Sequence, residues 1–143
     1  MDTIMQAQIL YPIAVLVALV MVIAALMLRE RVQEMKARRI HPHKVATSSQ
    51  MAGLLQNTRA ADNYKNLFEM PVLFYVALGV AYATSQVSPL VLGLAWGYVA
   101  FRVLHSYIHC TYNRVMHRFY AFFASNLVLW VLWGLLAVGL LQG

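Results

Sequence analysis

The stretch Arg59-Ala60-Ala61-Asp62-Asn63-Tyr64-Lys65-Asn66-Leu67-Phe68-Glu69-Met70-Pro71 leads directly into an apolar run that ends at Ala83. After the turn Thr84-Ser85-Gln86-Val87-Ser88 the order reverses, with apolar residues first and then Arg102, His105, His109 and Tyr112. Two helices folded back through that turn would bring Glu69 level with Arg102, since both stand nearly the same number of residues from its ends. Asn66 then falls beside His105, Asp62 beside His109 and Arg59 beside Tyr112. Spacings of three and four residues place each set on one helical face. Ionisable groups at membrane depth are costly unless they pair or face a wet cavity, so the cluster marks a candidate functional site.

Membrane depth follows from composition. Of 143 residues 62% are hydrophobic and only 11% are charged, which fits an integral membrane protein and argues against a soluble domain. Four stretches can cross about 30 Å of hydrocarbon at ~1.5 Å per residue. They are approximately Ile9–Leu28, Glu69–Ala83 with its polar N-terminal extension, Pro89–Cys110 and Phe119–Leu141. The first has no basic region before it and no clear small-residue cleavage site after it, so it reads as a retained helix rather than a signal peptide. The expected fold is all-α: residues 1–143 as one four-helix, up-down-up-down membrane bundle.

The basic residues set the orientation. All 11 Lys and Arg fall between the first two helices, inside the polar cluster, or between the last two helices. By the positive-inside rule both termini face outward and both basic connections face the cytoplasm. The expected location is therefore a multi-pass protein, taken as one of a bacterial inner membrane. The net charge of +6 needs no nucleic-acid partner, because anionic membrane lipids beside those connections account for it. Cys110 is the single cysteine, which excludes an internal disulfide and a thiol metal cluster. His41-Pro42-His43 lacks a third ligand nearby and reads as a solvated basic loop, so no metal is expected.

Local signals refine the elements. The first helix should continue past the bilayer to Arg38, with Glu34 and Arg38 in the favourable i,i+4 order, until His41-Pro42-His43 ends it. Thr47 with Gln50 has the pattern of a capping box, so the second helix is expected to start there and run to Ala83. Pro71 should kink it, two residues after Glu69. Gly93 and Gly97 form a small-xxx-small pair suited to close helix approach or to nothing more than ordinary membrane packing. Tyr112, Tyr120, Trp130 and Trp133 are candidate interface anchors.

The polar cluster alone leaves two readings open. Glu69 and Arg102 could be a buried ion pair that fixes register. Adding Arg114, His117 and Arg118 gives a concentrated positive field beside amide and imidazole groups, which suits a small, polyanionic, peptide-like ligand.

At these residues the chain resembles the MAPEG family, membrane-associated proteins in eicosanoid and glutathione metabolism. Arg59-x6-Asn66-x2-Glu69 followed by a proline is similar to the family's second-helix signature. Arg102-x2-His105-x3-His109-x4-Arg114-x3-Arg118 is similar to the third-helix and loop pattern of its prostaglandin E synthase branch. The resemblance covers all four helices. It implies a homotrimer that binds glutathione between subunits near the cytoplasmic face, with a lipophilic substrate arriving from the bilayer. Asn66, Glu69, Arg102 and His105 become glutathione contacts by this resemblance, and Arg118 takes the place of the arginine thought to stabilise the thiolate. Arg59, His109 and Arg114 complete the expected binding set. The chain also departs from the pattern. Pro71 follows Glu69 more closely than usual, Asp62 stands where arginine is common, and His109 replaces a frequent tyrosine. Phe119 occupies the isomerase branch's serine position, and Tyr120 is offset from the usual tyrosine. These departures speak against prostaglandin-type isomerisation.

The leading expectation is a transferase or peroxidase that uses glutathione, or another low-molecular-weight thiol, on lipophilic electrophiles or lipid hydroperoxides. A thiol with a pKa of about 8.5 needs a nearby cation to ionise at neutral pH. Lowering it by one to two units corresponds to roughly 1.4–2.8 kcal/mol. Arg118 is the candidate. The alternative is a non-catalytic membrane protein that binds a lipid or partner through the same pocket. A small drug exporter fits the length, but the first helix lacks the acid such exporters need.

Overall fold

A computed structural model describes residues 3–142. Helix α1 (Thr3–Gln8) leads into α2 (Leu10–Ala37), and the residue between them, Ile9, itself has right-handed helical backbone angles. At ~1.5 Å per residue α2 outruns the ~30 Å hydrocarbon layer, so its charged end stands clear of it. Glu34 and Arg38 form the expected pair there, at 3.0 Å. What ends the helix is not the His41-Pro42-His43 segment but a turn just before it. Arg39 adopts a left-handed φ of 52°, the Arg39 N–H donates to Lys36 O, and the Ile40 N–H donates to Met35 O. This is a Schellman motif.

The second span departs most from expectation. The capping box is present, with the Gln50 N–H donating to Thr47 Oγ1 and the Thr47 N–H to Gln50 Oε1. Yet the helix it starts, α3 (Ser48–Leu54), is only two turns long. After a break come α4 (Arg59–Asn66) and, after a second, α5 (Met70–Ala83). Pro71 does not kink a continuous helix. It sits in the first turn of α5, where its missing N–H costs nothing. The first break is held from outside. Glu34 accepts from the N–H groups of Gln56 and Asn57 at 2.7 and 3.1 Å, and Glu30 accepts from the Ala60 N–H in the first turn of α4.

Helix α6 (Pro89–Cys110) has the expected boundaries, begun by Ser88, whose hydroxyl accepts from the Val91 N–H. Helix α7 (Val115–Gln142) starts four residues before the expected Phe119, which moves Arg118 from just before the helix into its first turn. Four candidate membrane spans result, and the short turns 84–88 and 111–114 make the last three alternate in direction. The core joins Leu16 of α2, Phe74 and Leu78 of α5, Tyr98 of α6 and Leu129 and Leu132 of α7. Phe74 and Tyr98 stack with centroids 4.3 Å apart. Within this subunit a Cβ at Gly93 or Gly97 would meet no other atom, so the glycine pair mediates no close approach here; buried Ala95 lies between them. The wide apolar exterior, including Met21, Val22 and Trp130, is what a lipid-facing surface requires.

Candidate functional site

Helix α4 lies against α2 on one side and α6 on the other. Its register on α6 is fixed by a pair the sequence reading missed. Ser106 Oγ donates to Asn63 Oδ1 at 3.3 Å, with both residues buried. Two polar residues one step beyond Asp62 and His105 were the available signal. Arg59 lands one residue from its expected level, donating to the Thr111 carbonyl at 2.8 Å, where it satisfies the C-terminal end of α6.

The expected Glu69–Arg102 pairing takes a different form. Among the described residues the ion pair found is Glu34–Arg38, not Glu69–Arg102. Asn66 stands between the two. Arg102 Nη2 donates to Asn66 Oδ1 at 2.5 Å and more weakly to Asn66 O, while Asn66 Nδ2 donates to Glu69 Oε2 at 3.2 Å. The second break explains the change. Glu69 lies outside both α4 and α5 with ψ −99°, so its exposed carboxylate no longer follows the helical face that would have aimed it at Arg102. Arg102 itself is wholly buried, with its guanidinium 5.8 Å from the Phe122 ring and Nε and Nη1 without protein partners.

Beside this relay is a cavity of about 250 Å³ lined by Asp62, Asn66, His105, His109, Val115, Arg118, Phe119 and Phe122. It gathers residues from α4, α6 and α7. The His105 and His109 rings meet edge-on with centroids 5.5 Å apart, and the Nδ1 atoms of both are buried without partners. Arg118 is held by Asn113, whose Oδ1 accepts from Nη1 at 2.9 Å. Asn113 manages this from a left-handed φ of 47°, a conformation asparagine tolerates better than most residues.

Of the expected site residues, Asn66, His105, His109 and Arg118 meet at one cavity. Arg102 stands behind Asn66 and Phe122, Glu69 at the break, Arg59 at the end of α6, and Arg114 exposed in the connection. A larger cavity of about 530 Å³ lies on the other side of Asp62, between α2, α3 and α4. Arg31, Lys65, Met27, Met51 and Phe68 are among its walls. The groups of three or more His, Cys, Asp or Glu that a metal would need are absent among the described residues.

The MAPEG family model matches residues 9–138, which spans all four membrane helices. The chain belongs to the MAPEG family. No curated protein and no solved structure matched it. Membership supports a membrane role in glutathione-related transfer, peroxide reduction or eicosanoid metabolism in general terms. In this MAPEG chain the second and third helices do converge, through the Asn66 relay rather than by direct charge pairing.

Proposed function

We propose that this MAPEG protein is a membrane transferase or peroxidase that uses a low-molecular-weight thiol, glutathione first, on lipophilic electrophiles or lipid hydroperoxides. The observation that carries the reading is the cavity beside Arg118, lined by two buried histidines whose Nδ1 atoms have no protein partner. Buried polar atoms of this kind call for a hydrogen-bonding occupant. Glutathione's amides and carboxylates offer both donors and acceptors to Asn66, His105 and His109, and its charge suits Arg118.

The thiol would supply the nucleophile or the reducing sulfur. The protein's task is to hold that sulfur as its anion beside a group that stays charged. Arg118 meets the requirement, since guanidinium does not lose its proton at physiological pH. Its place in the first turn of α7 adds the unpaired N–H groups and positive dipole end of that helix. The apolar walls of the adjoining larger cavity suit the lipophilic partner, and holding two reactants together supplies much of the remaining acceleration.

A homotrimer completes this reading, with the site shared at a subunit boundary and both termini on the outer side of a bacterial inner membrane. Native mass spectrometry in mild detergent should give three subunits, and a stable monomer would remove the shared site. The direct test of function is to titrate purified protein with glutathione and follow thiolate absorbance near neutral pH. Bound thiolate supports the proposal. Binding without thiolate favours the second reading, a non-catalytic protein that holds a lipid or partner in the same pocket. Asp62 gives that reading its footing, because a carboxylate on the cavity wall repels a ligand's own carboxylates.

A further inference from the structure

The seam between α6 and α7 carries a second groove, on the side of α7 away from the candidate site. At about 100° per residue, Val115, Arg118, Phe119 and Phe122 face one way and His117, Tyr120, Ala121 and Ala124 face nearly the opposite way. The groove has a volume of about 440 Å³. Phe101, Leu104 and Ile108 form one wall, and the methyl side chains of Ala121 and Ala124 leave the space open on the other. One end is polar. There the Tyr112 hydroxyl and His117 Nδ1 are 3.2 Å apart, with their rings edge-on, and Tyr120 stands beside them.

Three observations say what covers it. Both helices are candidate membrane spans, so the outward side of the groove meets lipid. From Phe101 to Cys110 the helix rises about 14 Å, and the turn carrying Tyr112 follows, so the groove runs along roughly one leaflet of the ~30 Å hydrocarbon layer. Finally, the sequence from Pro89 to Gly143 contains no Asp or Glu, yet Arg114 and His117 stand at or next to the polar end. A negative group to complement Arg114 must come from elsewhere.

We propose that this groove binds one anionic phospholipid from the leaflet next to the 111–114 connection. An acyl chain lies along Leu104, Ile108 and Ala124. The phosphate receives a hydrogen bond from the Tyr112–His117 pair, from His117 Nε2 when the hydroxyl donates to Nδ1 or from the hydroxyl when Nδ1 donates to it, within the field of Arg114. A zwitterionic lipid fits the same apolar walls but gains less from the Arg114 charge.

The test uses the purified, delipidated assembly in detergent, without thiol, titrated with phosphatidylglycerol or phosphatidylcholine of matched chains. Native mass spectrometry counts the lipids retained. The wild type should hold one phosphatidylglycerol per subunit, with a preference over phosphatidylcholine of roughly fivefold, the size expected from one surface cation, Arg114. Ala124→Trp fills the groove and should abolish retention of both lipids. Val131→Trp, on the same helix but beyond the groove, should leave retention intact. The double variant Arg114→Gln/His117→Gln should lower phosphatidylglycerol to the phosphatidylcholine level, and it decides the matter if Ala124→Trp fails to fold. Equal retention of both lipids by the wild type, or unchanged phosphatidylglycerol binding by folded Ala124→Trp, overturns the proposal. So does a folded Ala124→Trp protein that separates into subunits, since the groove would then be an interface between copies of this chain.

Discussion

The second span and the third span carry matching sets of polar residues, yet one is broken twice and the other is an uninterrupted helix. In α6 the backbone runs unbroken from Pro89 to Cys110, with only its two ends needing outside partners, and Arg102, His105 and His109 follow as a single inward stripe. In the second span, Leu55–Thr58 and Leu67–Glu69 leave the helix. A break at the edge of a bilayer must find partners for the groups it frees. Here α2 supplies carboxylates to the first break, while the second closes on itself through bonds such as Leu67 N–H to Asn63 O. The regular helix delivers side chains at fixed depth. The broken one frees Asn66 to offer both its carbonyl and its side chain to Arg102.

The sharpest way to break this contrast is Asn66→Ala. It leaves a buried guanidinium without its strongest acceptor, and we expect a loss of about 3 kcal/mol, read as detergent unfolding. Glu69→Gln should cost about 1 kcal/mol, since a neutral amide still accepts from Asn66. If the two variants are equally damaging, a direct Glu69–Arg102 pair forms in the assembled protein and the relay is wrong.

Arg118→Ala comes next and asks whether the chemistry belongs to the unbroken hairpin. Turnover with a model electrophile should fall about 10- to 100-fold, the equivalent of roughly 1.4–2.8 kcal/mol, and the bound thiol's pKa should rise while the fold persists. Arg118→Lys should keep part of the activity, and Arg114→Ala should weaken binding more than chemistry. Full activity in Arg118→Ala would remove the role assigned to that residue.

Glu34→Ala addresses the first break. Its carboxylate serves two backbone N–H groups and Arg38, so we expect a loss of about 1–2 kcal/mol and faster amide exchange confined to residues 55–60. Uniform exchange across the chain would mean the break is not a local clasp. The smallest effect should come from Pro71→Ala, under about 1 kcal/mol, because the proline already occupies a first-turn position that suits it. If this change instead fuses α4 and α5 into one protected helix, the proline and not the site geometry causes the break.

How much of this was legible in the sequence depended on where the deciding partner lay. Pro89–Cys110 was readable to the residue, because Ser88, Pro89 and the apolar run are all local signals. The Glu34–Arg38 pair and the Thr47–Gln50 box were readable for the same reason. The breaks were not, since the acceptors that stabilise residues 56–60 sit on another helix and no local pattern announces them. Within the site, side-chain spacing set Asn66 beside His105 and Asp62 beside His109, and these four residues line one cavity together with Arg118, which the resemblance had added. It misjudged Glu69, because counting residues assumes an unbroken helix between that carboxylate and the turn. Asn63 and Ser106 went unnoticed because uncharged residues inside a span draw less attention than ions, although here they set the register.

The carboxylates of Glu30 and Glu34 also bear on the order in which the protein assembles. Chains are made from the N-terminus at roughly 5–20 residues per second, and early segments organise before later ones exist. The acceptors on α2 precede the donors at 56–60 by some 22 to 30 positions, so their union is a fairly local event. Both sides of that clasp are synthesised before Pro89, the first residue of the hairpin that carries the histidines. The half of the site borne by α4 can therefore be anchored to α2 while the other half is still being translated, which leaves α6 and α7 a surface already in place to dock on.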